Sequence, residues 1–414
     1  MNLKTIREVK NLRGKRVLLR VAFDVPLERK GKGFAVADSR RIIEALPTIK
    51  HLLRNKCRIV MLSWLGRPEG RIVDKYKMDP VARCVSELIK KPVKKIDDCI
   101  GPKVFEQVQK LKPGELLMLE NTRFYPEEYE NSKMFAALLT HGFDLICFDA
   151  FGQIHRVHSS TIGITRFLPT YAGFLLEKEV LALSKIISKP KRPLLIILGG
   201  AKISDKIHVL ESLLKIADKV LIGGGLANVF FKVNRIKVGE SFMEDFFVDK
   251  AKRKKVNLQL EAKKLLRRYK GKIVLPVDML AGNKIDANAL IEIVNFEAKG
   301  QINQRWKFLD IGPNTIGNYL AEIKRAKTIF FNGPMGVFEL DKFAFGTKKI
   351  AEAVGRSKGT TIIGGGDTEI VASKYKLEKK ISHISTGGGA SMAFLAGEDL
   401  PVLKKLVKQD KQDE

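Results

Sequence analysis

The chain is expected to fold as α/β, in two doubly wound (Rossmann-like) parallel-sheet domains. Three observations predict this. Short β-branched or aliphatic runs recur, each followed by a turn and an amphipathic helical stretch. The runs are apolar throughout rather than alternating, as strands buried on both faces of a parallel sheet must be. At 414 residues the chain is too long for one core and long enough for two.

Taken in order, the strand-like runs begin with RVLLRV at Arg16 to Val21. Arg58 to Leu62, Leu116 to Glu120 and Leu145 to Asp149 complete the first half. Leu194 to Leu198, Lys219 to Ile222, Ile273 to Val277, Thr328 to Phe331 and Thr361 to Ile363 carry the pattern through the second half. So many strand–helix units call for two sheets. The seam is placed near Ser188 to Pro193 (SKPKRP), where two prolines and three basic residues read as an exposed connector. Before it, Leu176, Val180, Leu183 and Ile187 fall on one helical stripe. The stretch Ala251 to Lys272 reads as the most basic helix, with Leu258, Ala262, Leu265 and Tyr269 as its apolar side. Lys263, Lys264, Arg267 and Arg268 face away, as on a solvated surface.

The composition is globular, with 45% apolar residues and a formal charge of +29. Such a charge suits nucleic acid, an acidic membrane surface, a polyanionic small substrate, or simply a lysine-rich surface. No apolar run approaches the ~20 residues of a membrane span, and no signal-peptide pattern is read. A cytoplasmic protein is therefore expected. The four cysteines, Cys57, Cys84, Cys99 and Cys147, form no C-x-x-C pair. They read as small hydrophobes in a reducing compartment. The six histidines show no metal-ligand spacing with them.

Four glycine clusters follow strands and precede helices: Gly199-Gly200, Gly223-Gly224-Gly225, Gly364-Gly365-Gly366 and Gly387-Gly388-Gly389. Glycine lets a backbone approach a ligand closely, and the helix start behind it offers free N–H groups to an anion. Four such turns point to a phosphate ligand. None completes G-x-G-x-x-G, and G-x-x-x-x-G-K-[ST] is absent, so neither a dinucleotide site nor an ordinary P-loop is supported. After Gly200, Lys202 and Lys206 stand one helical turn apart. Asn332 to Glu339 (NGPMGVFE) is a rigid turn ending in a carboxylate. Asp367-Thr368 sits at a helix start, as a magnesium ligand or an N-cap would.

Here the sequence resembles phosphoglycerate kinase. The likeness rests on LGGAKISDKI (Leu198 to Ile207), FNGPMGVFE (Phe331 to Glu339), IGGGDT (Ile363 to Thr368) and SHISTGGGAS (Ser382 to Ser391). In the first half LGRPEG (Leu65 to Gly70), ENTRF (Glu120 to Phe124), DAFG (Asp149 to Gly152) and HRVHSS (His155 to Ser160) match. The resemblance implies domains facing a cleft and joined by a hinge helix. They are an acid-substrate domain over 1–171, an interdomain helix and hinge over 172–189 and a nucleotide domain over 190–383. A segment over 384–414 returns to the first domain.

The reaction so implied moves a phosphoryl group between 1,3-bisphosphoglycerate and Mg-ADP, giving 3-phosphoglycerate and Mg-ATP. In the reverse direction the nucleophile is a carboxylate, already ionised, so no general base is needed. By resemblance Lys202 reaches the transferring phosphoryl group, Lys206 the nucleotide phosphates, Asn332 a phosphate and Glu339 the ribose. Asp367 takes Mg²⁺, with Thr368 beside it. Gly223 to Gly225 wall the adenine, and Gly365, Gly366, Gly388 and Gly389 present N–H groups. Gly200, Ala201, Pro334 and Val337 complete the nucleotide site. Arg41 stabilises charge in transfer, while Arg67, Arg123 and Arg156 bind the 3-phosphate. Arg41, Lys202, Gly366 and Gly389 form the catalytic set, and Glu179 and His383 a hinge pair. The implied partners are these small molecules, with no membrane, no nucleic acid and a monomeric chain.

The pattern breaks in the acid half. The family's R-V-D-F-N-V-P reads Arg20-Val21-Ala22-Phe23-Asp24-Val25-Pro26 here, its S-H-L-G-R-P reads Ser63-Trp64-Leu65-Gly66-Arg67-Pro68, and Phe148 replaces its Asn before Asp149. Asp24 is expected on the same strand face as position 22, in the substrate site, and Trp64 is expected to narrow the pocket. Three functions fit: an active phosphoglycerate kinase, a paralogue acting on another acid or acyl phosphate, or a nucleotide-binding protein with weak or no activity.

Overall fold

The computed structural model describes residues 1–31, 33–201, 203–249 and 254–408. They form two compact units, Met1–Leu181 with the stretch from Asp399, and Ala182–Glu398. The first division falls inside one helix, Phe174–Ser188.

The first unit is built on six parallel strands: β1 (Arg16–Val21), β2 (Arg58–Leu62), β3 (Val93–Lys95), β4 (Leu116–Met118), β5 (Leu145–Asp149) and β6 (Thr170–Ala172). Their order is β3-β4-β2-β1-β5-β6. The central strands are apolar on both faces because helices cover both. Val17, Leu19, Ile59 and Met61 of β1 and β2 share a core with Ile42, Ile49 and Leu52 of the helix Arg40–Arg54. At the far end the helix Pro401–Leu406 buries Val402, Leu403 and Leu406. It is tied to the chain start, where Lys4 N donates to Leu406 O at 2.7 Å and Ala172 N of β6 donates to Lys4 O at 2.8 Å.

The second unit holds β7 (Leu194–Leu198), β8 (Lys219–Ile222), β9 (Ile273–Val274), β10 (Thr328–Asn332), β11 (Thr360–Gly364) and β12 (His383–Ile384). All six are parallel, in the order β9-β8-β7-β10-β11-β12. The strand order reverses between β7 and β10, and in open α/β sheets ligands bind outside the carboxyl ends at such a point. A three-stranded antiparallel sheet, Ile291–Asn295, Asp278–Gly282 and Lys307–Ile311, belongs to this unit too.

All nine strand-like runs contain strands, with shifts at the ends. β4 stops at Met118 because Glu120 N donates instead to Asp98 O, at 3.1 Å. β9 stops at Val274, two residues before Pro276, which has no N–H for the ladder. The basic helix covers only Leu258–Arg268. Lys254–Asn257 is a strand, and the Asn257 side chain caps the helix by accepting from Leu260 N at 2.9 Å. Residues 251–253 lie outside the described residues. Leu258, Ala262 and Leu265 are buried as expected, with Lys263, Lys264, Arg267 and Arg268 exposed. In the helix before the seam Ile186 is buried and Ile187 is 39% exposed, so the stripe turns by one residue at its end. The sequence pattern does not mark the antiparallel sheet, because its strands are only partly apolar and partly exposed, as at Ile291 and Ile293.

Candidate functional site

In the second unit, backbone hydrogen bonds stitch the glycine turns together at the carboxyl ends of β7, β8 and β10. Gly199 N donates to Asn332 O at 3.0 Å, Gly200 N to Pro334 O at 2.7 Å, and Gly224 N to Met335 O at 3.0 Å. Gly224 has φ +56°, and a Cβ there would stand 2.5 Å from Gly200 N. The close approach of the three turns is possible only without side chains.

These turns open a cavity of about 480 Å³. Gly200, Ala201, Gly224, Gly225, Pro334, Val337, Glu339 and Asp367 line it, all of them residues the sequence nominated. Met279, Phe308 and Leu309 of the antiparallel sheet add an apolar wall with Phe242, Met335 and Phe338. An apolar slot with a few polar groups at its rim suits a planar base. Met335 and Phe338 belong to the Asn332 to Glu339 motif, whereas nothing in the spacing ties Phe242, Met279, Phe308 and Leu309 to the glycine turns.

The other nominated residues stand behind or beside the cavity. The half-buried Lys206 is in the helix Ser204–Ile216, its Nζ 3.2 Å from where a Gly200 Cβ would be. Lys202 lies outside the described residues. Asn332 Nδ2 donates to Gly364 O at 2.8 Å. The buried Thr368 hydroxyl accepts from Gly333 N at 2.6 Å, so it braces one turn against the next. Gly365, with φ +102°, caps the helix Gly366–Lys374, so Asp367 is not the N-cap. A Cβ on Gly388 would lie 2.3 Å from Gly365 Cα. Gly366 and the exposed Gly389 therefore open adjoining helices, and the latter spans Gly388–Leu395.

The Asp367 carboxylate is exposed on the cavity wall. Among the described residues no group of three or more His, Cys, Asp or Glu is placed to hold a metal. A single carboxylate fits magnesium that arrives coordinated by phosphates, the usual mode for this ion, rather than a resident cation.

In the first unit, the nominated side chains gather beyond β1 and β2. Arg41, in the first turn of the helix Arg40–Arg54, donates from Nη1 to Asp24 O. Asp24 Oδ1 accepts from Gly66 N at 2.9 Å. Arg123 Nη1 donates to Gly66 O at 2.6 Å and stands 4.0 Å from Asp24 Oδ2. Burial lowers the Arg123 pKa, and the nearby Arg156 charge pushes the same way. Arg67 and Arg156 are exposed. Arg67 follows Gly66 directly, on the loop whose Gly70 N donates to Arg123 O at 3.1 Å.

Two expectations are corrected here. β1 ends at Val21, so Asp24 shares no strand face with Ala22; the turned chain sends its carboxylate to the Gly66 amide. Trp64 does not narrow a pocket. It is 2% exposed and packs under two guanidiniums, with Arg20 Cζ 4.4 Å and Arg123 Cζ 4.2 Å from its ring centroid. Phe148 is likewise buried, paired in register with Arg20. Glu179 is buried in the helix Phe174–Ser188, and His383 is buried in β12. Neither is a surface group. Asp149 is buried too, and its Oδ1 accepts from Leu176 N at 3.0 Å, capping that helix from β5.

A glycine-lined, apolar-walled cavity at the switch point of one doubly wound sheet, with clustered arginines on another, marks the class of two-domain α/β phosphotransferases. The comparisons narrow the class. The family model described as phosphoglycerate kinase matches residues 6–398, and the chain belongs to that family. The phosphoglycerate kinase of Rubrobacter xylanophilus is 43% identical, over 99% of this chain and 100% of its own length. The chloroplastic phosphoglycerate kinase of Volvox carteri is 47% identical, over 94% of this chain and 83% of its own length. Among solved structures, phosphoglycerate kinase from Pyrococcus horikoshii superposes with a TM-score of 0.83 at 32% identity, covering 98% of each chain. That from Coxiella burnetii gives 0.80 at 34% identity, covering 97% of this chain and 98% of its own.

Proposed function

We propose that the chain catalyses reversible phosphoryl transfer between 1,3-bisphosphoglycerate and Mg-ADP, giving 3-phosphoglycerate and Mg-ATP, as a glycolytic phosphoglycerate kinase. The family match over residues 6–398 carries this reading. The cavity supports it, since eight residues nominated for the nucleotide line its wall.

In this reading the nucleotide base lies against Phe242, Phe308 and Phe338, the exposed Glu339 takes the ribose, and Lys206 faces the phosphates. Asp367 would hold Mg²⁺ brought in on the nucleotide phosphates, and the ion would supply neutralisation of phosphate charge there. Arg67, Arg123 and Arg156 hold the phosphate of the acid, because a guanidinium fork grips phosphate bidentately. Arg41 stabilises charge on the moving group, with Lys202, Gly366 and Gly389. The attacking carboxylate is already ionised at neutral pH, so the residues bind and orient rather than move protons. We assign acid binding to the domain over 1–171 and nucleotide binding to 190–383, in a monomeric cytoplasmic enzyme. Among the described residues no helix is long and apolar enough to cross a membrane.

The test is a coupled assay with purified protein, Mg-ATP and 3-phosphoglycerate. Turnover is expected, with a loss of at least ~10³-fold in Arg41→Ala and Lys202→Ala. Absence of turnover in the parent, with ATP binding retained by calorimetry, would sink the reading.

A further inference from the structure

We propose that Trp64 is a positioning residue, an aromatic platform that holds the Arg123 guanidinium ready for the phosphate of the acid substrate. This rests on the reading that the arginine set binds a phosphorylated carboxylic acid.

The Arg123 side chain is 9% exposed, so its orientation depends on what packs around it. Its Nη1 donates to Gly66 O, but among the described residues its buried Nε has no partner, and the Asp24 carboxylate stands off at 4.0 Å. Among the described residues no carboxylate fork therefore fixes the plane of this guanidinium. The indole does, with its ring centroid 4.2 Å from Cζ; Tyr129 is more distant at 5.5 Å. A guanidinium stacks on an aromatic face while its edge keeps its N–H donors free for an oxyanion. That leaves Arg123 donors to spare for phosphate.

The same indole lies 4.4 Å from Cζ of the wholly buried Arg20. Arg20 is held by Nε donating to Ser160 O at 2.9 Å, and Ser160 Oγ donates in turn to the buried Glu128 at 2.6 Å. Burial pulls the Arg20 pKa down to about 9, and the Arg123 charge adds to the fall. Two like charges thus share one π system, whose negative face eases their repulsion. The histidine the family resemblance puts here is a smaller ring, and protonated it would bring a third positive charge. Trp64 thus replaces a polar group with a platform.

The chain has two tryptophans, Trp64 and Trp306, so Trp306→Phe leaves Trp64 as the sole tryptophan emitter. Its emission should change saturably as 3-phosphoglycerate, or inorganic phosphate, is added. Trp64→Leu should raise KM for 3-phosphoglycerate about tenfold, Trp64→Phe less, with KM for ATP within about twofold of the parent. A silent Trp64 at saturating 3-phosphoglycerate with turnover intact overturns the platform and leaves the kinase reading standing. So does an unchanged KM for 3-phosphoglycerate in Trp64→Leu. A saturable response to phosphate without turnover supports the platform and defeats the kinase reading. If Trp64→Leu fails to fold, the emission titration and Trp64→Phe still decide.

Discussion

Asp310 is a buried carboxylate that has no charged partner among the described residues. It is the next-to-last residue of the strand Lys307–Ile311 that walls the cavity, its Oδ1 accepting from Ile311 N at 2.9 Å and its Oδ2 from Gly346 N at 2.7 Å. Desolvation outweighs both bonds and pushes its pKa from 3.8 to about 7. The folded chain therefore keeps a proton there that the unfolded chain has released. Stability from this group is present below about 3.8 and is lost as pH rises to about 7. Asp310→Asn is expected to start less stable by about 1 kcal/mol, having lost one acceptor. It should also remove roughly 2–4 kcal/mol of the decline between those pH values. Urea midpoints of both proteins at several pH values check this; parallel curves would refute it. At this scale the sequence named Arg41, Arg123 and Asp24 but not what they touch. The Asp24–Gly66 bond and the Trp64 stack join residues 42 and 59 positions apart, beyond any local pattern.

At the scale of elements, the glycine turns were legible and the wall opposite them was not. A strand–turn–helix signature is local, so clusters at 199, 223, 364 and 387 announced themselves. The antiparallel strands that bring Met279 and Phe308 to the same cavity carry no comparable mark. Gly224 tests whether the turns are as tight as the geometry requires. With φ +56° and no space for a Cβ beside Gly200 N, Gly224→Ala is expected to spread the turns apart. ATP affinity should fall about tenfold or more by calorimetry, with the melting temperature lower by several degrees. Unchanged affinity would mean that the turns have slack and that the cavity is not built on them.

For the molecule as a whole, the chain ends matter more than their sequence suggests. The helix Pro401–Leu406 buries three aliphatic side chains and is bonded to the chain start. Removing the chain from Asp399 onward should therefore destabilise the unit of Met1–Leu181, by roughly 10 °C in melting temperature. Trp64 emission reads that unit in the Trp306→Phe protein. ATP binding, read by calorimetry at 25 °C, should survive, since its proposed residues lie in Ala182–Glu398. Loss of both together would contradict the assignment. The charge of +29 is mostly dispersed. Pairs such as Lys264–Glu261 and Arg268–Glu211 are exposed and contribute little.

The sequence by itself determined the fold class, the succession of strands, the phosphate-suited turns and the family. Each of these is written in local periodicity, in glycine at positions where a side chain is forbidden, or in short contiguous motifs. Only the tertiary structure decided the rest. It supplied the antiparallel sheet at the cavity wall and put Trp64 beneath the arginines rather than in their pocket. It also turned Asp24 to the Gly66 amide. Those outcomes depend on where distant segments meet and which polar groups lose water there, and no local pattern of residues records that.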